Sequence, residues 1–228
     1  MKILITGASR GIGYDTALQL AQAGHRVLAL ARNAERLEAL AEQAAGNIFP
    51  LPQDLVKLDQ ARLTGAIEKI GGLDILINNA GLLVNKPFLD LSSEDWQNSF
   101  QVNVFAVVEL IRLCLPFLAK SPQAHILNIG SMGGYPGSQK FLGLAAYSAS
   151  KGALATLTES LAVELREQKV AVNCLALGAV QTEMLESAFP GYSAPTNSEE
   201  MGTFVAQFAT TAQRLFNGKI IPVSQSNP

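Results

Sequence analysis

The stretch KILITGASRGIG, residues 2–13, decides the fold. Residues 2–6 form a short apolar run, glycines stand at 7, 11 and 13, and a helix-length segment follows. Glycine reaches positive φ without strain and lets backbone approach a ligand closely, while a helix amino end offers unpaired N–H groups to an anion. On their own, Gly7, Gly11 and Gly13 would mark a tight turn. Between a first strand and a helix they read as a cradle for the diphosphate of a dinucleotide. The spacing is G-x-x-x-G-x-G rather than G-x-G-x-x-G, and no Lys-Ser or Lys-Thr pair closes the loop as a triphosphate-binding loop requires.

Outward from this unit, apolar runs at 26–31, 47–51, 73–77, 124–129, 169–175 and 219–223 join 2–6 as seven predicted strands. Their apolar residues are mostly continuous, which suits parallel strands buried on both faces. Pro50 and Pro222 fit strand ends or sheet edges better than a centre. Helices are expected at 12–23, 33–45, 57–70, 93–119, 146–167 and 198–213. In 93–119 the stripe Trp96, Phe100, Val104, Val107 and Ile111 recurs at intervals of three and four. The expectation is an α/β fold: a single-domain, doubly wound, Rossmann-type three-layer sandwich with a seven-stranded parallel sheet over residues 1–228. The irregular stretches 132–145 and 183–200 each follow a strand. They should rim the crevice at the strands' carboxyl ends, where such folds bind ligands.

Composition narrows the class without naming the chemistry. A chain of 228 residues, 48% hydrophobic, buries enough surface to need no disulfide or structural metal. Seventeen Lys and Arg against nineteen Asp and Glu, without a basic run, exclude a phosphate-tracking surface, so no nucleic-acid partner is expected. Two cysteines and two histidines lie far apart, so no metal site is expected, and Cys114 and Cys174 read as buried thiols. The residues before Gly7 are too few for a signal peptide, and VVELIRLCLPFL carries Glu109 and Arg112. No membrane span and a cytoplasmic location are therefore the expectation.

The end of the second predicted strand selects the cofactor. An NAD site places a carboxylate there for the adenosine ribose; this chain has Ala31-Arg32. Arg32, with Arg10 from the glycine turn, offers forked donors to a phosphate, so NADP(H) is expected and NAD(H) is less favoured. In YSASK, Tyr147 and Lys151 sit four apart on one helix face. An ammonium beside a phenol favours the phenolate and draws an otherwise high pKa toward neutral pH. Ser131 follows the fifth predicted strand, and Asn103 falls within the long helix before it.

These motifs resemble the short-chain dehydrogenase/reductase family over essentially the whole chain. They are TGASRGIG (6–13), Asp54-Leu55, NNAG (78–81), Asn103, NIGS (128–131), YSASK (147–151) and NCLALGAVQTEM (173–184). The resemblance implies Tyr147 as catalytic acid–base, Lys151 on the nicotinamide ribose, Ser131 on the substrate carbonyl and Asn103 anchoring a proton relay. It implies cofactor contacts from Gly7, Ser9, Arg10, Gly11, Ile12, Gly13, Arg32, Asp54, Leu55, Asn79, Ala80, Gly81, Val180 and Thr182, besides Tyr147 and Lys151. Three features depart from the family pattern. Leu177-Gly178 replaces Pro-Gly, the Ser131–Tyr147 interval is longer than usual, and KIIPVSQSNP lacks an Asp-Gly-Gly ending.

The expected function is NADPH-dependent reduction of a small carbonyl compound, or oxidation of the alcohol, by a homodimer, with a tetramer as the alternative assembly. The alternative is a non-catalytic NADP-binding sensor or protein-interaction module on the same fold. An isomerase or dehydratase using bound cofactor would need a substrate domain for which this chain has no room. His25 and His125 receive no catalytic part.

Overall fold

A computed structural model describes residues 1–224. Seven parallel strands form one sheet: β1 (Lys2–Thr6), β2 (Arg26–Ala31), β3 (Ile48–Pro52), β4 (Ile75–Asn78), β5 (His125–Ser131), β6 (Ala171–Leu177) and, at the far edge, β9 (Ile220–Val223). Their order is β3-β2-β1-β4-β5-β6-β9, the doubly wound arrangement, with the crossover between β3 and β4. β1 pairs with β2 through Ile3 and Val27 and with β4 through Ile3 and Ile75, each in parallel register. Pro50 and Pro222 lie in the two edge strands, where the missing N–H breaks no inner ladder.

The strands are apolar throughout because both faces are covered. Successive side chains point to opposite faces, so Ile3 and Ile5 enter one core and Leu4 the other. The first core is completed by α1 (Gly11–Gln22), α2 (Ala34–Glu42) and α8 (Ser198–Thr211), including Leu20, Leu37, Leu40 and Val205. The second is completed by α3 (Gln60–Lys69), α5 (Ala106–Leu118) and α6 (Ala145–Glu164), including Leu63, Ile67, Leu110, Ile111 and Leu154. Helix starts are set by side chains that take up free N–H groups. Asn33 accepts from Arg36 N, Asp59 from Arg62 N, and Ser92 forms a reciprocal capping box with Asp95.

Three sequence expectations need correction. The helix expected over 93–119 is three pieces: α4 (Ser93–Phe100), a π-helical turn over Gln101–Phe105, and α5. Apolar residues recur at helical spacing straight through the wider turn, so periodicity alone hides it, although Trp96 and Phe100 are only half-buried where Val104, Val107 and Ile111 are buried. The helix expected over 57–70 begins at Gln60, after a separate 3₁₀ turn at Leu55–Lys57 capped by Asp54. The stretch 183–200 is not irregular. It holds α7 (Glu183–Ala188), and its end is tied down by parallel pairing of β7 (Val180–Gln181) with β8 (Thr196–Asn197). The altered chain ending falls partly at 225–228, outside the described residues.

By length and composition alone, the helical run Ser93–Leu118 is apolar enough to cross a membrane. In this fold Val107, Leu110, Ile111, Cys114 and Leu118 are packed into the protein's own core.

Candidate active site

Strand ends β1, β2, β4, β5 and β6 open into one cleft of about 1210 Å³, larger than a typical single-ligand pocket. The glycine turn forms its floor. Gly7 and Gly11 adopt φ of 70° and 55°, in the region that favours glycine. A Cβ at Gly7 would stand 2.9 Å from Ala80 Cα, and one at Gly13 would overlap the Asn79 amide and the Gly7 carbonyl. α1 begins here with no side-chain cap and no acid in its first turn, leaving its N–H groups directed to the cleft.

NNAG is the second strut. Asn79 Nδ2 donates to Thr6 O at 2.9 Å, while Thr6 Oγ1 accepts from Asn79 N and Ala80 N. The β4 turn is thereby locked to the β1 turn. Asp54 carries the cap of its own 3₁₀ turn, accepting from Val56 N at 3.0 Å, so its backbone and Leu55 are fixed at the β3 end of the cleft.

Three guanidiniums gather at the β2 end: Arg10, Arg32 and Arg36. Arg36 and its partner Glu183 escaped the sequence reading. Glu183, the first residue of α7, accepts from Arg10 at 2.7 Å and from Arg36 at 3.1 Å. These bonds hold the glycine turn and α2 to the segment that covers the cleft, and the guanidiniums keep the Glu183 carboxyl below its usual range, Arg10 most strongly. The available signal was Arg36 lying one helical turn beyond Arg32; Glu183 gave none.

Tyr147 and Lys151 project from the first two turns of α6 beside Ser131 at the end of β5. Burial pushes the Tyr147 phenol above its usual pKa, and a hydrogen bond with the Ser131 side chain pulls it back. Lys151 is not among the groups lowering it; its Nζ lies 5.9 Å from the tyrosine ring centroid. The lysine is itself nearly buried, and desolvation draws its pKa down to about 8. Its Nζ donates to Ile129 O at 2.8 Å, which fixes the ammonium over β5. Gly134 lets the 132–134 turn rest against α6; a Cβ there would come within 2.5 Å of the backbone at Lys151 and Gly152.

All the cofactor residues expected from sequence line this one cleft, as do Ser131, Tyr147 and Lys151. Asn103 does not. It is fully buried at the π-helical turn, accepting from Leu82 N at 2.8 Å and donating to Leu82 O and Ser150 Oγ at 2.9 Å each. Ser150 in turn donates to Tyr147 O at 2.7 Å. Three of the amide's four hydrogen-bonding capacities go to protein, and the side chain ties the π-helical turn to Leu82 and to the first turn of α6.

His25 and His125 are absent from the cleft. His25 Nδ1 lies 3.2 Å from the N-terminal amine. His125 is sealed beneath α8, with Nδ1 2.9 Å from Ala209 O and Nε2 3.1 Å from Asn173 Nδ2. Cys114 and Cys174 are buried free thiols, and burial pushes Cys174 up to about 11. Among the described residues no cluster of His, Cys, Asp or Glu has metal-site geometry.

A family model described as short chain dehydrogenase matches residues 1–193. The carbonyl reductase [NADPH] 2 of Sus scrofa is 35% identical over 185 residues, covering 81% of this chain and 73% of that protein. The 3-oxoacyl-[acyl-carrier-protein] reductase of Aquifex aeolicus is 35% identical over 187 residues, covering 79% and 74%. A 3-ketoacyl-(acyl-carrier-protein) reductase from Brucella melitensis, solved with NADH, superposes with a TM-score of 0.88 at 26% identity, covering 97% of this chain and 96% of that one.

Proposed function

Because the chain belongs to the short-chain dehydrogenase/reductase family of oxidoreductases, we propose that it interconverts a carbonyl compound and its alcohol with NADP(H), using Tyr147 as the acid–base. The observation that carries this reading is the placement of Tyr147, Ser131 and, one turn on, Lys151 in the same cleft as the glycine turn. The cradle at Gly7 and Gly13 and the uncapped α1 fit a diphosphate, and a nicotinamide dinucleotide held there would supply or accept the hydride. In the reductive direction Ser131 donates to the carbonyl oxygen and polarises it. Tyr147 gives its hydroxyl proton to that oxygen as negative charge develops there, and its phenolate is then reprotonated from solvent. Lys151, charged below about pH 8, offers donors to ribose hydroxyls beside the tyrosine. Asn103 keeps the first turn of α6 in place.

Arg32, without a carboxylate at the β2 end, supports NADP(H) over NAD(H), with Arg10 and Arg36 as further donors to a 2′-phosphate. One charge-assisted contact corresponds to roughly 10–100-fold in binding. The test is kcat/KM with NADPH and with NADH against a panel of ketones and aldehydes. The expected result favours NADPH by at least about tenfold. Equal use, or preference for NADH, removes the 2′-phosphate assignment. Tight NADPH binding without turnover, together with a reproducible protein partner, favours the sensor alternative.

Phe105 and Val163 stay exposed on the outer faces of the π-helical turn and α6, which supports a homodimer through those helices, with a tetramer as the larger possibility. Sedimentation showing only monomer at micromolar concentration refutes it. Two buried free thiols suit a reducing, cytoplasmic setting.

A further inference from the structure

α7 walls the cleft without being packed into a core. Met184, Leu185 and, at its end, Phe189 line the cleft, yet no residue of α7 is buried. Among the described residues, two side-chain attachments hold this helix to segments distant in sequence. At its last turn Asn85 Nδ2 donates to Ala188 O at 2.6 Å. At its start Glu183 accepts from Arg10 Nη1 at 2.7 Å on one carboxylate oxygen and from Arg36 Nη1 at 3.1 Å on the other. Arg10 stands in the glycine turn just before α1, and Arg36 in the first turn of α2. A single carboxylate therefore fastens α7 to both.

The same guanidiniums flank Arg32, which lines that end of the cleft and has no ion-pair partner among the described residues. Arg10 and Arg36 were assigned above as further donors to an adenosine 2′-phosphate, so Glu183 occupies two of the three cations that the phosphate would use. The contest is uneven. All three side chains of the bridge are about half exposed, where water screens an ion pair and leaves it little net strength. A phosphate monoester brings about −1.5 to −2 charges at pH 7 against one for the carboxylate. Its oxygens also match the guanidinium fork in bidentate geometry.

We propose that Glu183 and the adenosine 2′-phosphate compete for Arg10 and Arg36, so that NADP(H) unfastens α7 as it binds while NAD(H) leaves it fastened. Glu183 is then a specificity-determining residue that lowers the affinity for NADP(H) and links phosphate binding to the wall made by Met184, Leu185 and Phe189. Once the arginines turn to the phosphate, the Asn85 bond to Ala188 is the remaining anchor of α7. This deepens the NADP(H) reading and rests on it.

The experiment separates the phosphate from the rest of the cofactor. Adenosine 2′,5′-bisphosphate carries the 2′-phosphate and has no nicotinamide half to pack against α7; AMP is the same molecule without that phosphate. Hydrogen exchange of the 183–189 amides is followed by mass spectrometry on the full chain saturated with each nucleotide and with neither. The bisphosphate should speed exchange by about tenfold, and AMP should leave it unchanged. In Glu183→Gln, which keeps the side chain's shape and removes its charge, exchange should be fast without nucleotide and the bisphosphate should add little. Exchange in the parent that saturating bisphosphate leaves unchanged or slows overturns the proposal while the 2′-phosphate assignment stands. So does a Glu183→Gln variant that exchanges as slowly as the parent. If the bisphosphate binds no more tightly than AMP, the 2′-phosphate assignment falls and the proposal falls with it.

Discussion

Replacing Asn103 with alanine removes one side chain and unsettles three elements together. The amide is fully buried and makes three hydrogen bonds, two to the Leu82 backbone and one to Ser150 Oγ. Each contributes roughly 1 kcal/mol net, and an orphaned buried N–H costs somewhat more. Leu82 is only half-buried, so water recovers part of that loss. The sum is about 2–4 kcal/mol, a shift of roughly 4–16 °C in Tm for a domain of this size. Function should suffer beyond stability. Ser150 loses its anchor to the π-helical turn, and it is Ser150 that holds the Tyr147 carbonyl at 2.7 Å. Loosening the first turn of α6 displaces the phenol, and small misplacements of a reacting group cost on the order of 10–100-fold in rate. The assay pairs urea unfolding with NADPH oxidation measured well below the variant's Tm. A variant whose unfolding midpoint and kcat both match the parent refutes this account of Asn103. A stable variant with kcat down and NADPH affinity unchanged supports it.

Two further perturbations follow from the charges. Burial holds the His125 pKa near 4, below the 6.5 of an exposed imidazole, so the unfolded chain binds a proton there that the native chain refuses. Stability contributed by neutral His125 is complete above about pH 6.5 and is lost as pH falls toward 4, by about 3 kcal/mol in all. Urea unfolding of the parent and of His125→Gln between pH 7 and 4 checks this, and parallel slopes for the two proteins contradict it. Glu183→Gln releases Arg10 and Arg36 from their shared carboxylate. Fluorescence titration should then show tighter NADPH binding with NADH little altered, and an unchanged NADPH-to-NADH ratio argues against a phosphate role for those arginines.

The parallel sheet was legible because strands buried on both faces must be apolar at nearly every position, and the prolines at 50 and 222 marked both edges. Gly7, Gly13 and Asn79 were legible because a close backbone approach permits few alternatives. The π-helical turn was not, since Trp96, Phe100, Val104, Val107 and Ile111 recur at helical spacing straight through it. The order in 183–200 was hidden too: α7 is short, and its covering segment is tied down by β7–β8 pairing and by Asn85, all distant in sequence. Arg36 and Glu183 meet across 147 residues, a contact no local pattern encodes. The burial that depresses Lys151 was equally invisible, because a lysine in a helix normally reads as a solvated side chain.

The central claim is that Tyr147 moves the proton in an NADP(H)-dependent carbonyl reduction, and Tyr147→Phe tests it most directly. The substitution keeps the ring and its packing and deletes only the hydroxyl. NADPH should bind with nearly the parent's affinity, while kcat for the best ketone of the panel falls by about 10²–10⁴-fold. Turnover within a few-fold of the parent would contradict the mechanism.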